Sequence, residues 1–286
     1  MNRRRFLAAT GMTLAAPAIL SSCATRKPER AAPSERITLG VVGWGMMGPG
    51  NTDAFLNNHD CQVVAACDLD KNHLQSALDK INGHYKNKDC KPYHDYREMM
   101  ARTDIDAVML AVPDHWHALL ATEAAKQNKD IYGEKPLART IAEQQAIVRA
   151  VQKHKRIWQT GSWQRSKAPF RKAAEIVRNG RIGKVTRVEV GLPGGESKKG
   201  GHTDFAGTYK ILAEKLAALP EKPDDLSKIV PGTPAWNLAV TPPPPELDYE
   251  TWTGPSRLEP YIEARVHKNW RWNYNTGGGQ LLDWIG

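Results

Sequence analysis

The sequence predicts an α/β fold, a doubly wound parallel sheet followed by a second, α+β domain. Three observations predict it. Apolar runs of about five residues alternate with helical stretches of ten or more, the rhythm of parallel crossover units. A glycine pattern, G-x-G-x-x-G, directly follows the first apolar run. After residue 156 the rhythm stops, and residues 194–245 become rich in Gly, Lys and Pro.

In chain order, the first strand is expected over 37–42, with helical spacing over 46–56. A second strand over 63–67 precedes a helix over 72–81. A third over 107–112 precedes a helix over 115–126, and a short fourth over 131–132 precedes a helix over 142–153. These define a dinucleotide-type domain over 36–156. In the second domain, 157–286, a helix is expected over 170–177. Gly183 breaks into a half-exposed strand over 185–190, and another helix covers 209–219. Four prolines, 242–245, are extended by necessity.

Residues 1–23 read as a targeting segment. Arg3, Arg4 and Arg5 precede Phe6, Leu7 and an apolar run to Leu20 that Pro17 interrupts. The run is short for a bilayer span, which needs about 20 apolar residues. Its start resembles a twin-arginine signal, which implies export of folded cargo to the periplasm or cell envelope. Leu20-Ser21-Ser22-Cys23 resembles a lipobox with lipidation of Cys23 and membrane anchoring; the alternative is an ordinary cleavage site. Residues 24–35 are polar and proline-containing, as a tether is.

Composition narrows the function classes. The 286 residues carry 40 basic and 31 acidic side chains, a net charge of +9. The basic residues are scattered over helical faces and form no nucleic-acid module, so no nucleic-acid partner is expected. Beyond Cys23 there are Cys61, Cys67 and Cys90. Cys61 and Cys67 on one strand lie about 20 Å apart and cannot bridge.

In the glycine pattern, Gly43 makes a tight turn, Gly45 lets backbone approach a diphosphate, and Gly48 lets the helix pack closely. The helix beginning near Met46 offers N–H donors and a partial positive charge to phosphates. Trp44, Met46 and Met47 complete the expected cofactor loop. Asp68 ends the second strand, at the usual distance for binding ribose hydroxyls. A carboxylate there repels the extra phosphate of NADP, so NAD is the expected cofactor. The competing reading is a structural turn with Asp68 as a cap.

After the third strand stands A-V-P-D-H-W-H-A. Pro113 sets the turn and Asp114 is a candidate helix cap. His115 and His117, two apart, place one ring toward the cofactor and one toward solvent. No third ligand stands near them, so no metal is expected. After the fourth strand, Glu134 and Lys135 sit where a nicotinamide ring lies when the diphosphate is at Gly45. A lysine there can hydrogen-bond a substrate hydroxyl and stabilise developing alkoxide charge; the bland alternative is a surface salt bridge.

The order G-W-G-M-M-G, D-L-D, A-V-P-D-H-W-H-A, Y-G-E-K-P-L, Q-T-G-S-W-Q-R-S, G-R-I-G-K-V, W-T-G-P, N-W-R-W and G-G-G-Q-L-L-D-W-I-G resembles the glucose–fructose oxidoreductase / inositol dehydrogenase / MocA family over nearly all of 36–286. The resemblance implies a Rossmann domain joined to an α+β domain with an open, predominantly antiparallel sheet that is incomplete in this chain. It also implies a nicotinamide cofactor, sugar or polyol substrates and a homo-oligomer. It places the catalytic lysine at Lys135 and the diphosphate glycines at Gly43, Gly45 and Gly48. Asp68 is then the ribose acid, and His117 faces cofactor and substrate. Arg165 matches a basic position near substrate, and Asp283 is the catalytic acid of D-x-x-x-H.

Two departures stand out. An insertion occupies about 197–240, and the histidine of D-x-x-x-H would fall one residue past Gly286, so a truncated product is expected. Trp163, Trp270 and Trp272 are candidates to stack on sugar faces, or core residues. The expected function is hydride transfer to or from a hydroxyl of a sugar, polyol or glycoside, with a cofactor loaded before export. Two alternatives stay open. One is a glycoside-cleaving cycle of oxidation, elimination, hydration and reduction; the other is a non-catalytic sugar-binding lipoprotein.

Overall fold

A computed structural model describes residues 32–191, 210–220 and 229–285. The leader, Cys23, most of the tether, much of 197–240 and Gly286 lie outside the described residues.

Strands and helices alternate as β1 (Ile37–Val42), α1 (Gly48–Leu56), β2 (Cys61–Cys67), α2 (Lys71–Tyr85), β3 (Lys91–Tyr93), α3 (Tyr96–Met100), β4 (Ala107–Leu110), α4 (His117–Lys126), β5 (Asp130–Glu134), α5 (Ile141–Lys153) and β6 (Trp158–Gly161). The strands form one parallel sheet in the order β3-β2-β1-β4-β5-β6. This is the doubly wound Rossmann arrangement, and the order reverses between β1 and β4, where a crevice opens beyond the carboxyl ends.

The apolar runs are continuous because both faces of the sheet are covered. Val41 and Met109 point to one face, against Leu56, Ala77 and Ile81 from α1 and α2. Val42, Val108 and Leu110 point to the other, against Leu120, Ala121 and Ile147 from α4 and α5. Local capping fixes where helices begin. The Asp70 carboxylate accepts the N–H groups of Asn72 and His73 at the start of α2. Thr140 and Glu143 form a capping box at α5.

β6 pairs with β5, so the Rossmann unit runs past the boundary expected at residue 156. α6 (Ala168–Arg178) follows. Residues 185–190, expected as a strand, are exposed and pair with no strand among the described residues. Alternation gives a strand one apolar face, but without a neighbouring edge its backbone gains no ladder. The antiparallel sheet expected in the second domain is likewise not formed by the described residues. There, α7 (Lys210–Ala217), α8 (Pro234–Ala239), α9 (Tyr249–Thr253) and α10 (Gly279–Ile285) are joined by irregular chain.

Two small apolar clusters hold this part together. Leu216, Ile229, Ala235 and Ile262 form one. Leu247, Trp252, Tyr261 and Trp270 form the other, against which Leu69 of the Rossmann unit packs. Backbone bonds fasten it to the corner between β2 and α2. Lys71 donates to the Glu246 carbonyl at 3.0 Å, and Asp248 to that of Leu69 at 3.1 Å. Cys61, Cys67 and Cys90 are buried free thiols. Among the described residues no helix is long and apolar enough to cross a membrane.

Candidate active site

The loop after β1 is shaped by two close approaches. Gly43 has φ +89°, and a Cβ there would lie 2.3 Å from the Ala111 carbonyl oxygen. A Cβ on Gly48 would lie 2.2 Å from the Gly43 carbonyl oxygen, so α1 begins hard against the turn. At Gly45, by contrast, nothing lies within 4 Å. That open position, beside the amino end of α1, is a cradle that a side chain would fill, and it fits a diphosphate.

A cavity of about 420 Å³ extends from this loop over the ends of the central strands. Gly43, Trp44, Gly45, Met46 and Met47 line one wall; Asp68 and Pro113, then Glu134, Lys135 and Trp270, line the others. The Trp44 indole is nonetheless buried in the core, where its Nε1–H donates to Ser76 Oγ at 3.2 Å. Its backbone N–H donates to Asp68 Oδ2 at 2.6 Å, so that amide serves the loop rather than a phosphate. Asp68 Oδ1 accepts from the Asp70 N–H at 2.9 Å. Burial raises the Asp68 carboxyl above the ordinary range, against these backbone donors and His73.

At the far end, Lys135 Nζ donates to Asp283 Oδ1 at 2.9 Å and to the Asp283 carbonyl at 2.5 Å. Arg271 Nε donates to the same Oδ1 at 2.9 Å, and its guanidinium lies 4.2 Å from the Trp270 ring centre. Burial alone would raise the Asp283 carboxyl, but the Lys135 hydrogen bond and the Arg271 charge outweigh it and hold the group below its ordinary value. Lys135 and Arg271 thus line the cavity and are bridged by the buried Asp283 carboxylate, which falls outside the lining. Glu134, beneath them, accepts from Asn51 Nδ2 at 2.7 Å through Oε1. Its Oε2 is buried without a partner, an acceptor that a ligand hydroxyl or amide would satisfy.

Several expected roles change. Neither His115 nor His117 faces solvent; each is 2 % exposed. The His117 nitrogens lie 2.6 Å from the Pro136 carbonyl and 2.9 Å from that of Val112. His117 therefore ties the loops after β4 and β5 together and does not line the cavity. His115 lies against the carbonyls of Trp252 and Thr276, docking the C-terminal segment, and burial pushes its pKa down to about 4. Asp114 does not cap a helix: its Oδ2 accepts the Gly278 N–H at 3.1 Å. Trp163 and Arg165 fall on an exposed turn after β6, outside the cavity lining, where Trp163 meets the Lys167 ammonium instead. Trp270 lines the cavity and also packs in the second apolar cluster. Asn51 and Arg271 carry no sequence signal of their own; Arg271 sits inside N-W-R-W, where the tryptophans dominate.

Glycine cradle, strand-end carboxylate and cavity-lining lysine fit a dinucleotide-binding domain of the Rossmann class. A model of the oxidoreductase family with an NAD-binding Rossmann fold matches residues 37–162, and one of that family's C-terminal alpha/beta domain matches 233–284. Together they take in more than half of the chain, which belongs to the Gfo/Idh/MocA family of oxidoreductases and carries its NAD-binding domain.

The chain is similar to the inositol 2-dehydrogenase of Salmonella paratyphi B, 33 % identical over 151 residues, 52 % of this chain and 44 % of the relative. It is also similar to a glycosyl hydrolase family 109 protein of Shewanella sp. (strain ANA-3), 32 % identical over 160 residues, 50 % of this chain and 35 % of the relative. Among solved structures, the myo-inositol 2-dehydrogenase of Lactobacillus plantarum has a TM-score of 0.48 at 27 % identity, covering 52 % of this chain and 43 % of that one. The chain thus spans less than half the length of the curated relatives it matches.

Proposed function

We propose that this chain carries the cofactor domain and part of the substrate site of a dehydrogenase acting on a CH–OH group of a polyol or sugar, with NAD preferred over NADP. The observation that carries the reading is Lys135, which lines the same cavity as the glycine cradle and is held there by its ion pair with Asp283. A bound nicotinamide dinucleotide supplies the hydride acceptor or donor. Gly43, Gly45 and the amino end of α1 hold its diphosphate, and Asp68 accepts from ribose hydroxyls. The orphaned Oε2 of Glu134 accepts a further ligand hydrogen bond.

Lys135 points its ammonium at the substrate hydroxyl and stabilises negative charge on that oxygen as the C–H bond breaks. Asp283, kept ionised by two cations, fixes where the ammonium stands. Trp270 and the Arg271 stem close the wall against water. Inositol relatives favour a cyclic polyol as substrate. The Shewanella relative favours a second reading, glycoside cleavage by oxidation, elimination, hydration and reduction on the same residues. Release of an aglycone without net change in nicotinamide absorbance separates the two.

Export by the twin-arginine route, with the cofactor bound beforehand and lipidation at Cys23, belongs to the same proposal. It rests on Arg3–Arg5 with Phe6 and Leu7, and on the need to load a cytoplasmic cofactor into a folded site. Homo-oligomerisation is proposed on the family resemblance.

The test is Lys135→Met in the intact protein, assayed with inositols, sugars and glycosides. Turnover should fall by roughly 10²–10⁴-fold, while the NAD dissociation constant measured by calorimetry stays within about threefold. Unchanged turnover, or no affinity for dinucleotides in the parent, removes the reading.

A further inference from the structure

Asp70, His73 and His267 form a cluster on the lining of the cavity that also holds Lys135. Asp70 caps α2 and His73 stands in its first turn, while His267 arrives from the C-terminal segment that docks on this corner. One donor atom from each lies within 4.8 Å of the other two. Asp70 Oδ1 is occupied by the N–H groups of Asn72 and His73. Asp70 Oδ2 is directed at His267 Nε2, 3.4 Å away. That is long for a charge-assisted hydrogen bond, typically about 2.7–2.9 Å. It matches the edge of about 3.3 Å between ligands of a tetrahedral ion with bonds of about 2.0 Å.

The two imidazoles meet with ring centres 4.7 Å apart and planes tilted by 59°. Asp68 Oδ2, 3.8 Å from His73 Nδ1, adds a second carboxylate beside them. Two nitrogen donors and one carboxylate, with a further acid behind, suit a borderline divalent ion and not a hard one. Both imidazoles are partly exposed, so an ion can enter, and the widest pair needs to close by only about 1.5 Å.

We propose that Asp70, His73 and His267 bind one divalent transition-metal ion of the zinc class, which clasps the C-terminal segment to the start of α2. The ion joins residues from both segments, so its binding free energy becomes stability of the docked state. The proposal makes no use of Lys135 or of hydride transfer, although the cluster lies beside Asp68, the proposed ribose acid.

Purified full-length chain, stripped with a chelator, is titrated with Co²⁺ and then Zn²⁺. One equivalent of Co²⁺ should develop visible d–d absorption, Zn²⁺ should displace it, and Zn²⁺ should raise the melting temperature. His73→Gln and His267→Gln should each weaken Zn²⁺ binding by at least about a hundredfold, whereas His59→Gln, at an exposed position outside the cluster, should not. Asp70 is left intact because it caps α2. The Co²⁺ spectrum of the parent tests the site without any substitution. Absence of a saturable nitrogen-ligated spectrum overturns the proposal, as does parent-like Zn²⁺ affinity in either cluster variant.

Discussion

Lys135 and Asp283 stand 148 positions apart and meet at 2.9 Å, so this pair is held by the docking of α10 and not by local sequence. The Asp283 carboxyl sits below its ordinary value because Lys135 and Arg271 outweigh the effect of burial. A group depressed on folding contributes stability above its unfolded pKa, about 3.9 for an aspartate, and loses it as pH falls through the folded value. The urea midpoint of the parent should therefore drop more steeply than that of Asp283→Asn as pH is lowered from about 6 to about 3, the two curves converging in acid. Parallel curves would show that the pair adds nothing to docking. Lys135 could be singled out because it follows the fourth strand of a dinucleotide-type sheet and because the family resemblance falls on Glu-Lys-Pro. Arg271 and the Asp70–His73–His267 cluster were not, since their partners lie across the chain and no spacing rule joins them.

At the scale of elements, the strands that the sequence announces are those with two buried faces, β1, β2, β4 and β5. β3 holds three residues including Pro92, and β6 reads W-Q-T-G, half polar; each lies at an edge, where one neighbour suffices and apolar content can be low. The glycine loop was fully legible because each glycine answers a different steric demand, and those demands predict different mutant behaviour. Gly43→Ala meets the Ala111 carbonyl at 2.3 Å with φ at +89°, so it should lower unfolding free energy by about 2 kcal/mol or more. Gly45→Ala projects into open space and should leave stability within about 0.5 kcal/mol while weakening NAD binding, because the new methyl occupies the cradle. Urea denaturation paired with calorimetry separates them. If both variants are equally unstable, the cradle at Gly45 has been misplaced.

Across the whole molecule, local and long-range signals agree through β6 and part company afterwards. Helix α6 places Phe170, Ala173, Ala174 and Val177 at helical spacing on one side, yet buries none of its residues. Phe170 is 54 % and Val177 46 % exposed, and the following residues Ile182, Val188 and Val190 are more exposed still. The sequence pattern asks for a partner that the described residues do not supply, which is why helix and alternation were readable here but the expected strand did not form. An amphipathic stripe facing water drives association, and contiguous patches of several hundred Å² do so strongly. The isolated chain should therefore self-associate with rising concentration in sedimentation velocity. Because α6 buries none of its residues among the described residues, Phe170→Glu with Val177→Glu should suppress that association and leave the urea midpoint unchanged. A lowered midpoint would mean that α6 is packed in solution, and unchanged association would move the adhesive surface elsewhere, with the exposed Ile141 and Val148 of α5 the next apolar pair to test.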